Sequence, residues 1–108
     1  MKKTLLLTAL TLSVAFGAGD KKECDYAMHM GQLQEKAAVR EFKEGKFLGG
    51  YKHLRISLFN YASGFKPCMH STETDKANTK AIQRVNGVLT DKSFRQNIAL
   101  AKYIKAVK

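Results

Sequence analysis

The chain has 108 residues, a formal net charge of +10, two cysteines, one proline and eight glycines. That length holds one domain. Hydrophobic residues make up 44%, near the globular average, so the charge does not signal disorder, and the single proline excludes a collagenous or low-complexity linker protein.

Residues 1–17 have the layout of a secretory signal peptide. Lys2 and Lys3 provide a positive start, Leu5 to Phe16 is apolar apart from Thr8, Thr11 and Ser13, and Ala15, Gly17, Ala18 and Gly19 are small. Ala15 and Gly17 fit a cut between Gly17 and Ala18, with a cut after Gly19 as the alternative. A membrane span needs about 20 apolar residues, and here charge begins at Asp20. Residues 18–108 are therefore expected as a single exported domain with no transmembrane segment. The periplasm is the expected compartment and the extracellular space the alternative. Losing Lys2 and Lys3, and no acid, lowers the charge from +10 to +8.

The apolar spacing of this domain is helical nearly throughout. Tyr26, Met30, Leu33 and Ala37, with Ala38 to Phe42 adding a further step of four, predict a first helix over about 20–44, with Gly45 near its end. Phe47, Tyr51, Leu54, Leu58, Ala62 and Phe65 predict a second, weakened at its start by Gly49-Gly50 and closed by Gly64 and Pro67. Thr72 and Asp75 stand at capping-box spacing before Ala77, Ala81, Val85 and Val88, a third helix that Asn86-Gly87 is expected to stop early. Thr90-Asp91 offers a cap for a fourth, carried by Phe94, Ile98, Ala101, Ile104 and Val107. No stretch alternates as a half-buried strand would. The expected fold is all-α, a small antiparallel bundle of about four helices.

Cys24 lies near the start of the first helix and Cys68 just after the second. Two antiparallel arms, each rising roughly 30 Å, return Cys68 to the level of Cys24, so export and geometry together predict one disulfide. The two cysteines are too far apart in sequence for a C-x-x-C redox pair. An alternative use is a copper(I) site of Cys24, Met28, Cys68 and His70, whose thiolate, thioether and imidazole donors suit that ion. It requires the disulfide to be absent.

No catalytic signature is present: the serines lack G-x-S-x-G and S-x-x-K contexts, and the glycines form no phosphate-cradling loop. The expectation is a protein without enzymatic activity or resident cofactor. Export and the absence of a recognised signature argue against nucleic acid as the partner of the basic surface. Envelope anions remain: lipid headgroups, cell-wall polymers or an acidic protein. Lys92, Arg95, Lys102, Lys105 and Lys108 border the apolar stripe of the last helix and form the expected anion-facing surface. In layout (exported, about 90 mature residues, helical, two widely spaced cysteines) the chain is similar to the small periplasmic acid-stress chaperones. That resemblance implies stress protection as a further alternative.

Overall fold

The computed structural model describes residues 13–95 and 98–107, with side chains from Asp20 onward. The expected signal peptide therefore lies largely outside the described residues. Helix α1 (Ser13–Lys43) passes without interruption through the expected cleavage positions.

The buried face of α1 is Cys24, Ala27, Gly31, Glu35, Ala38 and Phe42, a ladder of threes and fours. Ala38 and Phe42 are buried as predicted, but the rest of the predicted stripe is corrected, since Tyr26 is 67% and Leu33 44% exposed, while Met30 and Ala37 are only half-buried. The reason is close approach. Helix α2 (Phe47–Ser63) lies so near α1 that the interface takes small residues. A Cβ on Gly31 would meet the ring of Tyr61, and one on Gly50 the ring of Phe42. The Gly49-Gly50 pair thus sits inside a formed helix and lets α1 come near.

Gly45 reverses the chain between these helices with φ of 77°, a left-handed value that glycine adopts without penalty. Around it, Lys46 N–H donates to Glu41 O at 2.8 Å and Gly45 N–H to Phe42 O at 3.0 Å, the two bonds of a Schellman cap. Across the hairpin, Ser57 Oγ donates to Gly31 O at 2.8 Å, and His53 Nδ1 meets Gln34 Oε1 at 2.7 Å. Gly50, Leu54, Ser57 and Tyr61 are the buried positions of α2, while Leu58 is half-buried and Ala62 exposed.

After α2 a 3-10 turn (Pro67–His70) carries Cys68 back to α1. Cys24 and Cys68 are joined by a disulfide with their Cα atoms 4.8 Å apart, inside the separation of about 4.4–6.8 Å usual for such bridges. Equal helical arms account for the match.

Helix α3 (Thr72–Thr90) is capped by Ser71, whose Oγ accepts from Thr74 N–H at 3.2 Å, so the cap falls one residue before the predicted Thr72. It runs through Asn86-Gly87 because Val88 is buried and Leu89 packs against the core beyond them. Asn78, Ala81, Val85 and Val88 form its inner face, and Asn78 Nδ2 donates to Tyr61 O at 2.9 Å.

Helix α4 (Ile98–Ala106) starts later than predicted. Asp91 instead holds a turn, accepting from Ser93 N–H at 2.9 Å, and Phe94 leaves that turn to enter the core. Its ring meets those of Phe42, Tyr103 and Tyr51, with centroids 5.3, 5.8 and 6.1 Å away, at edge-to-face angles favourable to aromatic pairs. Tyr103 is the buried residue of α4, whereas Ile98 is 70% exposed and Ala101 also faces water. The described residues are all-helical and contain no strand.

Gly31→Ala tests the close approach. The added methyl group has to displace Tyr61, and overpacking of this kind costs about 1–3 kcal/mol. A fall in the urea midpoint is expected, with Leu33→Ala at the exposed α1 position close to wild type.

Candidate functional site

The least expected group in the core is Glu35, 1% exposed in the middle of α1. Burying a carboxylate is unfavourable unless its oxygens are hydrogen-bonded and its charge is paired. Each remaining helix sends one partner. From α2, Tyr61 Oη donates to Oε1 at 2.7 Å; from α4, Tyr103 Oη donates to Oε2 at 2.8 Å. From α3, Arg84 donates through Nη2 to Oε1 at 2.6 Å and through Nε to Oε2 at 3.0 Å, a two-pronged ion pair. Four donors meet one carboxylate.

The ionisation of the partners follows from this arrangement. Burial pushes the Tyr61 phenol well above its ordinary value, reinforced by the hydrogen bond to Glu35. Burial does the same for Tyr103, helped by the Glu35 charge. The bond to Glu35 holds the Arg84 guanidinium in its charged form against the opposing effect of burial. With both oxygens occupied, Glu35 acts as a junction of four helices, and among the described residues Arg84 is the only cation directly on it.

Arg84 is also where the junction opens to water. Its side chain is 34% exposed, and its Nη1 edge carries no hydrogen bond among the described residues. Beside it lies a cavity of about 210 Å³ lined by Gln32, Glu35 and Lys36 of α1, Arg84 of α3, and Ala106 and Val107 at the end of α4. None of Glu35, Tyr61, Arg84 and Tyr103 stood out in the sequence as a site residue. The detectable signal was Glu35 itself, an acid on the same ladder of fours and threes as Ala27, Gly31 and Ala38.

Of the expected anion-facing residues, Lys102 and Lys105 share the outer side of α4 with Ile98, Ala101 and Ile104 around a shallow depression. Arg95 goes elsewhere. Its guanidinium lies over the rings of Phe47 at 5.2 Å and Tyr51 at 6.0 Å, next to the α1–α2 turn. Lys92 is exposed in the preceding turn, and Lys108 lies outside the described residues. Of the copper set, Cys24 and Cys68 are bonded to each other, Met28 Sδ accepts from Asn78 Nδ2 at 3.5 Å, and His70 is exposed. Among the described residues no three His, Cys, Asp or Glu side chains cluster as metal ligands would. No described helix is long and apolar enough to cross a membrane.

Comparison with family models, with curated proteins and with solved structures finds no match to this chain.

Proposed function

We propose that this is an exported, non-enzymatic helical binding protein whose basic surface engages an anionic component of the cell envelope. The observation that carries the reading is an excess of unpaired positive charge. Among the described residues only Lys21, Lys46 and Arg84 stand within ion-pair distance of an acid. The other described lysines and arginines project from a disulfide-closed scaffold without a carboxylate partner of their own. On the outer side of α4, Lys102 and Lys105 flank exposed Ile98 and Ala101, so charge and apolar contact are available together, as an interfacial helix requires.

Vesicles of phosphatidylglycerol provide the test, with phosphatidylcholine as the neutral control. Binding is expected only to the anionic vesicles and should weaken as salt shortens the screening length from about 30 Å at 0.01 M to about 8 Å at 0.15 M. Each lysine near an anionic surface contributes about 1 kcal/mol, so Lys102→Glu with Lys105→Glu should weaken binding at least about tenfold. Failure to bind anionic vesicles and purified cell-wall polymer alike at low salt would rule this reading out.

A further inference from the structure

We propose that the cavity between Gln32, Lys36 and Arg84 is a binding site for a phosphate group. The inference goes beyond the surface reading above, because the cavity lies where α1, α3 and the end of α4 meet, on other residues than Lys102 and Lys105.

The first argument is charge. Lys36 and Arg84 from different helices line one small cavity together with Glu35, and because Arg84 and Glu35 form an ion pair the lining keeps one uncompensated positive charge, that of Lys36. Glu35 accepts four hydrogen bonds from Tyr61, Tyr103 and Arg84, which occupy both of its oxygens. Lys36 has no carboxylate within ion-pair distance among the described residues. An anion seated here would supply Lys36 with the opposite charge it lacks and would meet the outward edge of Arg84.

The second argument is donor geometry. Glu35 uses the Nε and Nη2 side of Arg84 and fixes the guanidinium plane, leaving Nη1 for the cavity that Arg84 lines. A guanidinium held in advance loses little freedom on binding, so its remaining donors are preorganised. Gln32 and Lys36 stand one helical turn apart on α1 and so lie on one face of it, adding an amide donor and an ammonium. Three donor groups around one space suit a tetrahedral oxyanion better than a planar carboxylate. A phosphomonoester brings three acceptor oxygens and close to two negative charges at neutral pH. The cavity volume of about 210 Å³ far exceeds the roughly 10–15 Å³ needed to hold one water, leaving room for a phosphate and the first atoms of what bears it. Ala106 and Val107 form an aliphatic wall against which an ester could lie.

The experiment is a titration of the oxidised protein followed by the side-chain NMR signals of Arg84 Nε and the Gln32 amide. Inorganic phosphate is one ligand, and glycerol phosphate and short-chain phosphatidic acid are the others. Saturable shifts of both signals are expected. Lys36→Glu should lower the affinity about tenfold or more, the loss of a charge-assisted contact, while its urea midpoint stays near wild type. Arg84 is left unaltered because it also holds Glu35. Tighter binding of inorganic phosphate assigns the site to the free ion, and tighter binding of the esters assigns it to a phosphorylated headgroup. Absence of saturable shifts with all three ligands overturns the proposal. So does an affinity that Lys36→Glu leaves unchanged, or one that Lys102→Glu lowers equally, since either marks diffuse attraction to a basic surface. Failure of the vesicle assay with phosphate binding intact would remove the α4 reading and leave this one standing.

Discussion

Glu35→Ala is expected to destabilise the protein by about 3–5 kcal/mol, because it strips a buried ion pair of one partner. The substitution leaves Arg84 facing the space of the lost carboxylate and deprives the hydroxyls of Tyr61 and Tyr103 of their acceptor. Against the 5–15 kcal/mol typical of natural domains, that loss removes a large part of the total. Glu35→Gln keeps the shape and one acceptor oxygen and should fall between the two. The cluster as a whole is less stabilising than its single deletions suggest. Glu35→Leu combined with Arg84→Met, Tyr61→Phe and Tyr103→Phe leaves no polar group of the cluster unpaired and should regain much of the loss. Urea unfolding at pH 7 measures each variant, with exposed Glu23→Ala as the reference that should stay near wild type. A Glu35→Ala midpoint equal to that of Glu23→Ala would show that the junction does not hold the helices together.

The same cluster sets an alkaline limit. Tyr61 and Tyr103 are pushed up in the folded state, mainly by burial. Unfolded tyrosines release their protons near pH 10, so above that the unfolded chain binds fewer protons than the folded one. Stability contributed by the buried phenols is therefore intact below about pH 10 and falls as pH rises past it. Tyrosinate absorbance should appear together with unfolding, and Tyr61→Phe with Tyr103→Phe should remove part of that coupling.

Cys68→Ser, or reduction of the oxidised protein, is expected to cost about 4 kcal/mol in the chain-entropy description of a 44-residue loop. Structure retained by the reduced chain would make the measured loss smaller. The helical circular-dichroism signal should persist at low temperature, because the Gly31–Tyr61 and Phe42–Gly50 contacts between α1 and α2 do not need the bridge. Cys24→Ser should match Cys68→Ser, and the double substitution should add nothing further. Intact mass provides the companion measurement, with a two-hydrogen deficit in the oxidised chain. The same reduced and oxidised samples test the copper alternative, since Cys24, Met28, Cys68 and His70 offer free thiolates only after reduction.

The hairpin, its covalent closure and the all-helical class were legible in the sequence because they depend on short-range spacing. The period of apolar residues marks helices, and equal arm lengths bring Cys24 to Cys68 whatever the side-chain details. The faces were less legible. On α1 the large apolar residues Tyr26 and Leu33 point to water, while the interface takes Ala27, Gly31 and Ala38. A hydrophobic period finds bulk, and here closeness was won by its absence. Tyr61 and Tyr103 are amphipathic, so their pattern shows neither the burial of their rings nor the need of their hydroxyls for an acceptor. Glu35 pairs with Arg84 at a separation of 49 residues and with Tyr103 at 68, distances over which local periodicity carries no information. Of the expected basic face, Lys102 and Lys105 stand together on α4, while the place of Arg95 was hidden for a related reason. Arg95 found the aromatic rings of Phe47 and Tyr51, placed by the chain reversal at Gly45.

The bond between Cys24 and Cys68 also decides how the protein would carry a mechanical load. Tension applied to the chain on either side of that bridge crosses directly from one sulfur to the other. The stretch from Asp25 to Pro67, which includes all of α2, then lies off the load path. About 150 Å of extended contour stays locked behind the bridge. Helices α3 and α4 are in series with the load, so Tyr103 and Arg84 would be drawn from Glu35 first. The protein would lengthen from its C-terminal side while the α1–α2 hairpin stayed wound.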